Sequence, residues 1–255
     1  ALGTGLAELV VGLYLLYFVL RRSPVLRLQK GEHLRFNRPQ LCTMLCIAAP
    51  VASEKVILTT AQIISTAIVA PLGTVAIAAN SFAITAESLC YMPAYGIQSA
   101  AAMLVGQSVG AGRRNMARRL GWVTVLIGVA VMIITGGLLY ILAPQMMAIL
   151  TPNQDIIALG ARVLRIEAFA EPLFGASIVA GGVFQGVGST LIPTLFNLGT
   201  MWGIRIPLAW LAAPRWGLPG VWAAMCLELC VRGVLYLTRL VGKRWLPPGD
   251  QNEQA

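Results

Sequence analysis

Charged residues are scarce in this chain: they make up 11% of its 255 residues, against about 25% in soluble domains. Hydrophobic residues make up 57%, and the mean hydropathy is +0.75. These values exclude an ordinary soluble domain, a disordered chain and a small disulfide-rich scaffold. Apolar stretches long enough to cross a bilayer, which takes about 20 residues, recur along almost the whole chain. The sequence therefore predicts a polytopic α-helical membrane protein.

Histidine is nearly absent as well. The single histidine, His33, lies in a polar segment, which excludes a histidine-based metal site and a Ser-His catalytic triad. The five cysteines include two pairs at i,i+4, a spacing whose geometry disfavours a disulfide, and all five are expected to pack as small hydrophobic side chains. The sequence thus predicts neither an enzyme nor a protein with a bound cofactor or metal.

Seven apolar stretches, separated by turn and capping signals, predict seven transmembrane helices. Pro71-Leu72-Gly73 is a tight turn, and Thr151-Pro152-Asn153-Gln154 is read as a capping box with proline at the first helical position. The spacing of Gly182 and Gly186 favours close helix contact. The seven predicted spans are 1–20, 40–70, 74–109, 119–143, 156–184, 190–213 and 217–240.

The basic residues are distributed unevenly between the loops. The chain has 19 basic and 10 acidic residues, a net charge of +9. Basic residues cluster in 21–39, 110–119 and 239–244, which alternation places on one side of the membrane, whereas the opposite loops contain Arg215 alone. Because lysine and arginine accumulate in cytoplasmic loops, we expect a cytoplasmic C-terminus and an outer position for residue 1. This distribution also accounts for most of the charge without nucleic acid as a partner.

Three carboxylates lie well inside apolar spans and within a few residues of a proline: Glu54, Glu87 and Glu171. An ionisable side chain at the bilayer centre costs at least about 2.5–3.5 kcal/mol, and proline interrupts the backbone hydrogen bonds of a helix. Acids beside interrupted spans favour a transporter. The alternative is that these acids are only hydrogen-bonded inside a packed bundle.

Two other acids receive structural interpretations. Glu228 and Arg232 are spaced i,i+4 and are predicted to neutralise each other on one helix face. Glu167 lies near Arg162 and Arg165 towards the predicted outer start of its helix, so we expect it to be solvated.

Five segments, which lie in four of the seven predicted spans, resemble one family. They read LGTVAIAAN at 72–80, ESLCYMP at 87–93, LVGQSVGAG at 104–112, GVFQGVGST at 182–190 and RIPLA at 205–209. Each is weak alone, but together they resemble the multidrug and toxic compound extrusion (MATE) family in order and spacing. The resemblance implies an all-α fold of twelve helices in two six-helix lobes, with a central cavity for substrate and coupling cations.

The resemblance also implies a domain organisation for this chain. Residues 1–20 would be the last helix of the N-lobe and 21–39 a cytoplasmic linker, although the linker could also lie along the membrane surface. Residues 40–243 would form the six-helix C-lobe and 244–255 a cytoplasmic tail. The first five helices of the family fold have no counterpart here, so we expect a fragment whose partner is the missing N-lobe.

As a function, the resemblance implies a cation-coupled antiporter, driven by H⁺ or Na⁺, in the plasma membrane (the inner membrane of a bacterium). It would export drugs or toxic organic cations. The expected cation-coupling residues are Glu54, Glu87 and Glu171, although the family pattern has a neutral amide where Glu171 stands. The residues expected to line the substrate cavity are Gln62, Asn80, Tyr91 and Arg205.

Two other functions remain as alternatives. A lipid-linked oligosaccharide flippase of the same superfamily should have a more basic cavity that holds phosphates, whereas the spans of this chain contain several carboxylates. A seven-helix photoreceptor or sensor is raised by the helix count alone. A retinal Schiff base needs a lysine in the last helix, and 217–240 contains none.

Overall fold

The computed structural model of the protein describes residues 2–21, 38–242 and 245–246, and for 2, 4, 38–40, 43–51, 53 and 54 it describes the backbone alone. Most of the predicted linker 21–39 and tail 244–255, with His33, lies outside the described residues. Every regular element in the described part of the chain is a helix, which confirms the predicted all-α fold. The α-helices are α1 (Leu2–Arg21), α2 (Arg38–Val69), α3 (Thr74–Gly110), α4 (Arg114–Leu150), α5 (Gln154–Glu167), α6 (Glu171–Gly186), α7 (Leu191–Thr200) and α8 (Ile206–Val241).

The helices follow the seven predicted spans, with three differences. The fifth span, 156–184, is broken between α5 and α6. The sixth span contains a π-helical segment, Met201–Arg205, between α7 and α8. The predicted turn before the seventh span is a kink inside α8, where Gly217 has φ 60° and ψ −147°. Hydropathy therefore predicted where the helical stretches lie. It did not predict the breaks inside the apolar stretches.

The start of α5 corrects one sequence prediction. Asn153 caps this helix, because its side-chain oxygen accepts hydrogen bonds from the backbone N–H groups of Asp155 at 2.9 Å and Ile156 at 3.4 Å. The predicted capping box starting at Thr151, with Pro152 as the first helical residue, was wrong. The chain turns at the two residues between Thr151 and the helix, Pro152 and Asn153. The asparagine satisfies the free N–H groups of the first turn as well as a threonine cap would.

Four helical stretches of the described residues are long and apolar enough to cross a membrane: 55–72, Thr74–Gly110, Arg114–Leu150 and Leu191–Val241. By contrast, α5 has 14 residues and α6 has 16, each short of the roughly 20 residues that a crossing takes. The fifth predicted span therefore has the form of a discontinuous helix, whose two halves meet at 168–170.

The chain divides into two compact units, 1–46 and 47–255. In the second unit, α3 packs closely against α6 through small residues. A Cβ atom on Gly182 or Gly186 would collide with the backbone of Gln98 or Ala102 on α3, so the two helices approach as the glycine spacing predicted. Buried alanines of both helices, Ala101 on α3 and Ala180 on α6, belong to one hydrophobic cluster. The glycines thus bring α6, the second half of the broken segment, into close contact with α3.

Glycine at the α8 kink gives a test of this fold. We expect Gly217→Ala to destabilise the protein by about 1–3 kcal/mol, because a Cβ atom disfavours its backbone conformation. No neighbour lies within 4 Å of the added Cβ, so the effect is one of backbone conformation alone. It is measured as the loss of melting temperature of the purified protein in detergent.

Gly137→Ala is the matched control for this substitution. Gly137 lies in the interior of α4 and also has open space around it, so alanine there should stabilise the helix by about 0.5–1 kcal/mol. Equal melting temperatures for the two variants would contradict the backbone conformation assigned to Gly217 at the kink.

Candidate functional site

The break between α5 and α6 places two acids inside the bundle. Glu167 is the last residue of α5 and Glu171 the first of α6. The break fits its sequence, because Pro172 occupies the first turn of α6, where a missing N–H is harmless. Between them, the Ala170 N–H donates to the Glu167 carbonyl at 2.8 Å, which closes a tight turn. A broken helix in a membrane protein commonly marks a binding site.

Both acids at the break are fully buried. Glu167 and Glu171 have 0% relative exposure, and within the described part of the chain no carboxylate oxygen of either meets a hydrogen-bond partner by geometry. The prediction that Glu167 is solvated was wrong, because Glu167 lies on the buried face of α5 with Val163 and Leu164. Arg162 and Arg165 lie on the exposed face of the same helix. Two buried carboxyls of this kind need an explanation other than stability, since an unsatisfied buried polar group is destabilising.

Glu87 on α3 belongs to the same region. It is 7% exposed, and its charge acts on both Glu167 and Glu171. The Cys90 thiol, one turn further along α3, lies beside Glu171. The structure thus brings together two of the three predicted coupling residues, Glu87 and Glu171, and adds Glu167 to them.

A fourth buried acid, Glu228 on α8, is paired. Its Oε1 lies 3.2 Å from the Nε of Arg232, which confirms the predicted i,i+4 pair. The same oxygen accepts a 2.7 Å hydrogen bond from the Thr200 hydroxyl, at the point where α7 gives way to the π-helical segment. Glu228 is also within electrostatic reach of Glu167. We call Glu87, Glu167, Glu171 and Glu228 the acid cluster.

The third predicted coupling residue, Glu54, lies in α2, but its side chain is outside the described part of the structure. Its role stays a prediction.

Three of the four residues predicted to bind substrate surround one small cavity. Gln62, Asn80 and Arg205 line a space of about 20 Å³ between α2, α3 and α8, which has room for about one water molecule. Asn80 accepts a 3.0 Å hydrogen bond from the Trp222 indole N–H, and the Arg205 guanidinium lies 2.6 Å from the Met225 sulfur. In this conformation the cavity cannot hold a drug, so a role in substrate binding stays a prediction for these residues.

The fourth predicted residue, Tyr91, packs in an aromatic group. Its ring makes edge-to-face contacts with Tyr95 and Phe174, with centroids 5.7 and 5.8 Å apart. Tyr95 and Phe174 in turn line a larger cavity, so Tyr91 supports that wall.

The larger cavity has a volume of about 350 Å³ and lies between α2, α3, α6, α7 and α8. We call it the polar cavity. Its charged lining residues in the described structure are Lys55 and Arg232, and its polar ones include Gln98 and Gln185. Sequence analysis missed this cavity, because its residues come from five helices; the lysine and arginine inside apolar spans were the available signal. A larger, open apolar groove of about 800 Å³ lies elsewhere, and Arg215 is its charged lining residue.

The described structure supports neither a metal site nor a serine-hydrolase active site. Within 2–21, 38–242 and 245–246, no three His, Cys, Asp or Glu side chains lie close enough together to hold a metal ion. The string Gly106-Gln107-Ser108-Val109-Gly110 matches the Gly-x-Ser-x-Gly pattern of serine hydrolases, which requires a strand-to-helix turn. Ser108 instead lies inside α3 and donates a 2.8 Å hydrogen bond to the Leu104 carbonyl, so the string packs a helix.

Comparison with known proteins points to one family. A family model, MatE, matches residues 50–211. The chain is 30% identical over 186 residues to the "Probable multidrug resistance protein NorM" of Chromobacterium violaceum, covering 69% of this chain and 40% of that protein. It is 28% identical over 233 residues to the protein of the same name in Brucella suis, covering 88% and 50%. The chain thus spans about half the length, or less, of these curated relatives.

A solved structure shows the same fold. The Vibrio cholerae MATE transporter VcmN in its bent form superposes with a TM-score of 0.75 at 15% identity, over 96% of this chain and 55% of that one.

Two members of the acid cluster, Glu228 and Glu167, are expected to contribute differently to the stability of the protein. Glu228→Leu should destabilise the protein by about 3–5 kcal/mol, because Arg232 would lose its buried partner. Glu167→Leu, a change of similar size, should leave stability unchanged or raise it, because Glu167 has no hydrogen-bond partner in the described structure to lose. Thermal unfolding of both variants in one detergent measures this difference, and equal losses would contradict the assignments.

Proposed function

The chain belongs to the MatE family, and we propose that it forms part of a secondary active transporter that exports drugs in exchange for a cation, H⁺ or Na⁺. The names of its relatives support drug export. The acid cluster at the break between α5 and α6 is the observation that supports cation coupling. A transporter of this family is not an enzyme.

We propose the domain organisation and orientation on the same basis. Residues 40–243 correspond to the six-helix C-lobe, 1–20 to the last helix of the N-lobe, 21–39 to a cytoplasmic linker and 244–255 to a cytoplasmic tail. The excess of arginine and lysine in the loops supports a cytoplasmic C-terminus. The partners in this proposal are the lipid bilayer, the N-lobe and small drug molecules.

The proposed mechanism uses the acids as an exchangeable cation site. A cation shifts a transporter between outward-facing and inward-facing states only if it binds one state better than the other. Glu87 and Glu171 lie on different helices, and one of these helices starts at the break. A movement of α6 relative to α3 would therefore change the surroundings of both carboxyls at once. In this mechanism Glu54 is a third coupling residue.

The flippase alternative has one observation in its favour. It predicts a basic cavity, and the charged residues lining the polar cavity in the described structure are Lys55 and Arg232. The matching family and the names of the relatives nevertheless support drug export. No observation supports the seven-helix sensor.

Coupling is tested with Glu87→Gln and Glu54→Gln in the native gene product. Each variant should reduce dye efflux driven by an imposed pH or Na⁺ gradient to the background level, because an amide cannot exchange a proton or bind a cation with a full charge. Efflux is measured in proteoliposomes with dyes of both charges, at matched protein incorporation.

Asp155→Asn is the control for the coupling test. Asp155 is an exposed acid in the first turn of α5, so its neutralisation should leave efflux unchanged. Full gradient-driven efflux by both the Glu87→Gln and Glu54→Gln variants would refute the proposed coupling site.

A further inference from the structure

The polar cavity has the size and lining of a small-molecule site. Its volume of about 350 Å³ falls within the roughly 300–1,000 Å³ that is usual for such sites. Aromatic rings of Tyr95, Phe174 and Tyr236 line part of its wall, and the side chains of Gln98 and Gln185 supply hydrogen-bonding groups. This combination suits a molecule with a flat ring system and a few polar substituents.

The charge of the lining has one sign. Both charged residues of the described lining are cations: Lys55 from α2 and Arg232 from α8. Among the described residues, α3, α6 and α7 contribute no charged residue to the wall. The members of the acid cluster do not line the cavity, because they are buried in the bundle with at most 7% exposure.

Arg232 is held in place from behind. Its Nε and Nη2 face Glu228 at 3.2 and 3.5 Å, and its guanidinium carbon lies 5.5 Å from the centroid of the Phe174 ring. Glu228 is 1% exposed and the Arg232 side chain 13%, so the carboxylate lies on the protein side of the pair. Because a guanidinium has five N–H donors, the pair leaves donors of Arg232 for a ligand in the cavity.

Lys55 is a cation without a counter-ion in the described structure. Its side chain is exposed, and no described carboxylate lies within 4 Å of its ammonium group. An ammonium group at the mouth of a cavity, with a fixed guanidinium in the same wall, attracts an anionic group on a ligand.

From these observations we infer that the polar cavity binds aromatic organic anions, with their carboxylate, sulfonate or phosphate group held by Lys55 and Arg232. This inference rests on the proposed export of small molecules and names their charge. It differs from the organic cations that the family resemblance implies. The substrate anion and the coupling cation then bind to different residues: the anion to those of the polar cavity, and the cation to those of the acid cluster.

The test compares two dyes that share one phenylxanthene skeleton and differ in charge: fluorescein, an anion, and rhodamine 123, a cation. Binding to the purified native gene product is followed by fluorescence anisotropy. Fluorescein should bind at least about tenfold more tightly than rhodamine 123, since a charge-assisted hydrogen bond is worth about one decade in affinity. Lys55→Gln should weaken fluorescein binding by about the same factor and leave rhodamine 123 binding unweakened.

Two variants control for charge and for folding. Arg119→Gln removes one positive charge from an exposed position near the start of α4, so fluorescein binding should not change. Lys55→Arg keeps the charge at the cavity and should retain fluorescein binding. Tighter binding of rhodamine 123 than of fluorescein, or equal effects of Lys55→Gln and Arg119→Gln, would overturn the inference.

Dye transport in proteoliposomes distinguishes this failure from a failure of the proposed function. If rhodamine 123 is exported and fluorescein neither binds nor crosses, the inference is wrong and drug export stands. If neither dye crosses under any gradient, drug export itself is wrong. Displacement of bound fluorescein by a polyprenyl phosphate, without transport of either dye, would overturn the inference in favour of the flippase.

Discussion

The ion pair between Glu228 and Arg232 separates the buried acids of this bundle from the cations that line the polar cavity. A lone charge in a low-dielectric interior is strongly disfavoured, so each member requires the other. The pair joins two regions, because the 3.2 Å contact has the acid cluster on the Glu228 side and the polar cavity on the Arg232 side. Thr200 adds the end of α7 to this pair through its 2.7 Å hydrogen bond to Glu228. If the pair were lost, the cavity would lose a fixed cation, and an unpaired carboxylate would join the other buried acids.

The helix interruptions supply the movable parts around this pair. The break at 168–170 places Glu167 and Glu171 at facing helix ends, and the π-helical segment Met201–Arg205 follows Thr200 directly. Breaks of this kind expose backbone groups and concentrate conformational change in a few residues. In the proposed transporter, a cation at the acid cluster and an anion in the polar cavity need not compete for one group. They exchange by favouring opposite conformations of the same broken helices, which requires only that each binds one state better.

The sequence predicted the fold better than the site. Hydropathy and turn residues predicted the helical stretches, and the i,i+4 spacing of Glu228 and Arg232 predicted their contact, because both are local properties of a helix. Glu167 was misjudged because it lies on the buried face of α5, and its nearness in sequence to the exposed Arg162 and Arg165 does not show which face it shares. The polar cavity was missed because its cations, Lys55 and Arg232, lie on helices far apart in the sequence. One-dimensional periodicity does not show which helix faces meet.

The most direct measurement of this division of charge uses cysteine substitution in a background that lacks the native cysteines. Gln185→Cys lines the polar cavity, and Glu171→Cys replaces a fully buried acid. Each is treated with a negatively charged and a positively charged methanethiosulfonate reagent, and rates are normalised to those of a free thiol. The account predicts that the cysteine at 185 reacts faster with the anionic reagent, because Lys55 and Arg232 attract it, and that the cysteine at 171 reacts slowly with both. Faster reaction of the cysteine at 185 with the cationic reagent, or ready labelling at 171 from the cavity, would contradict it.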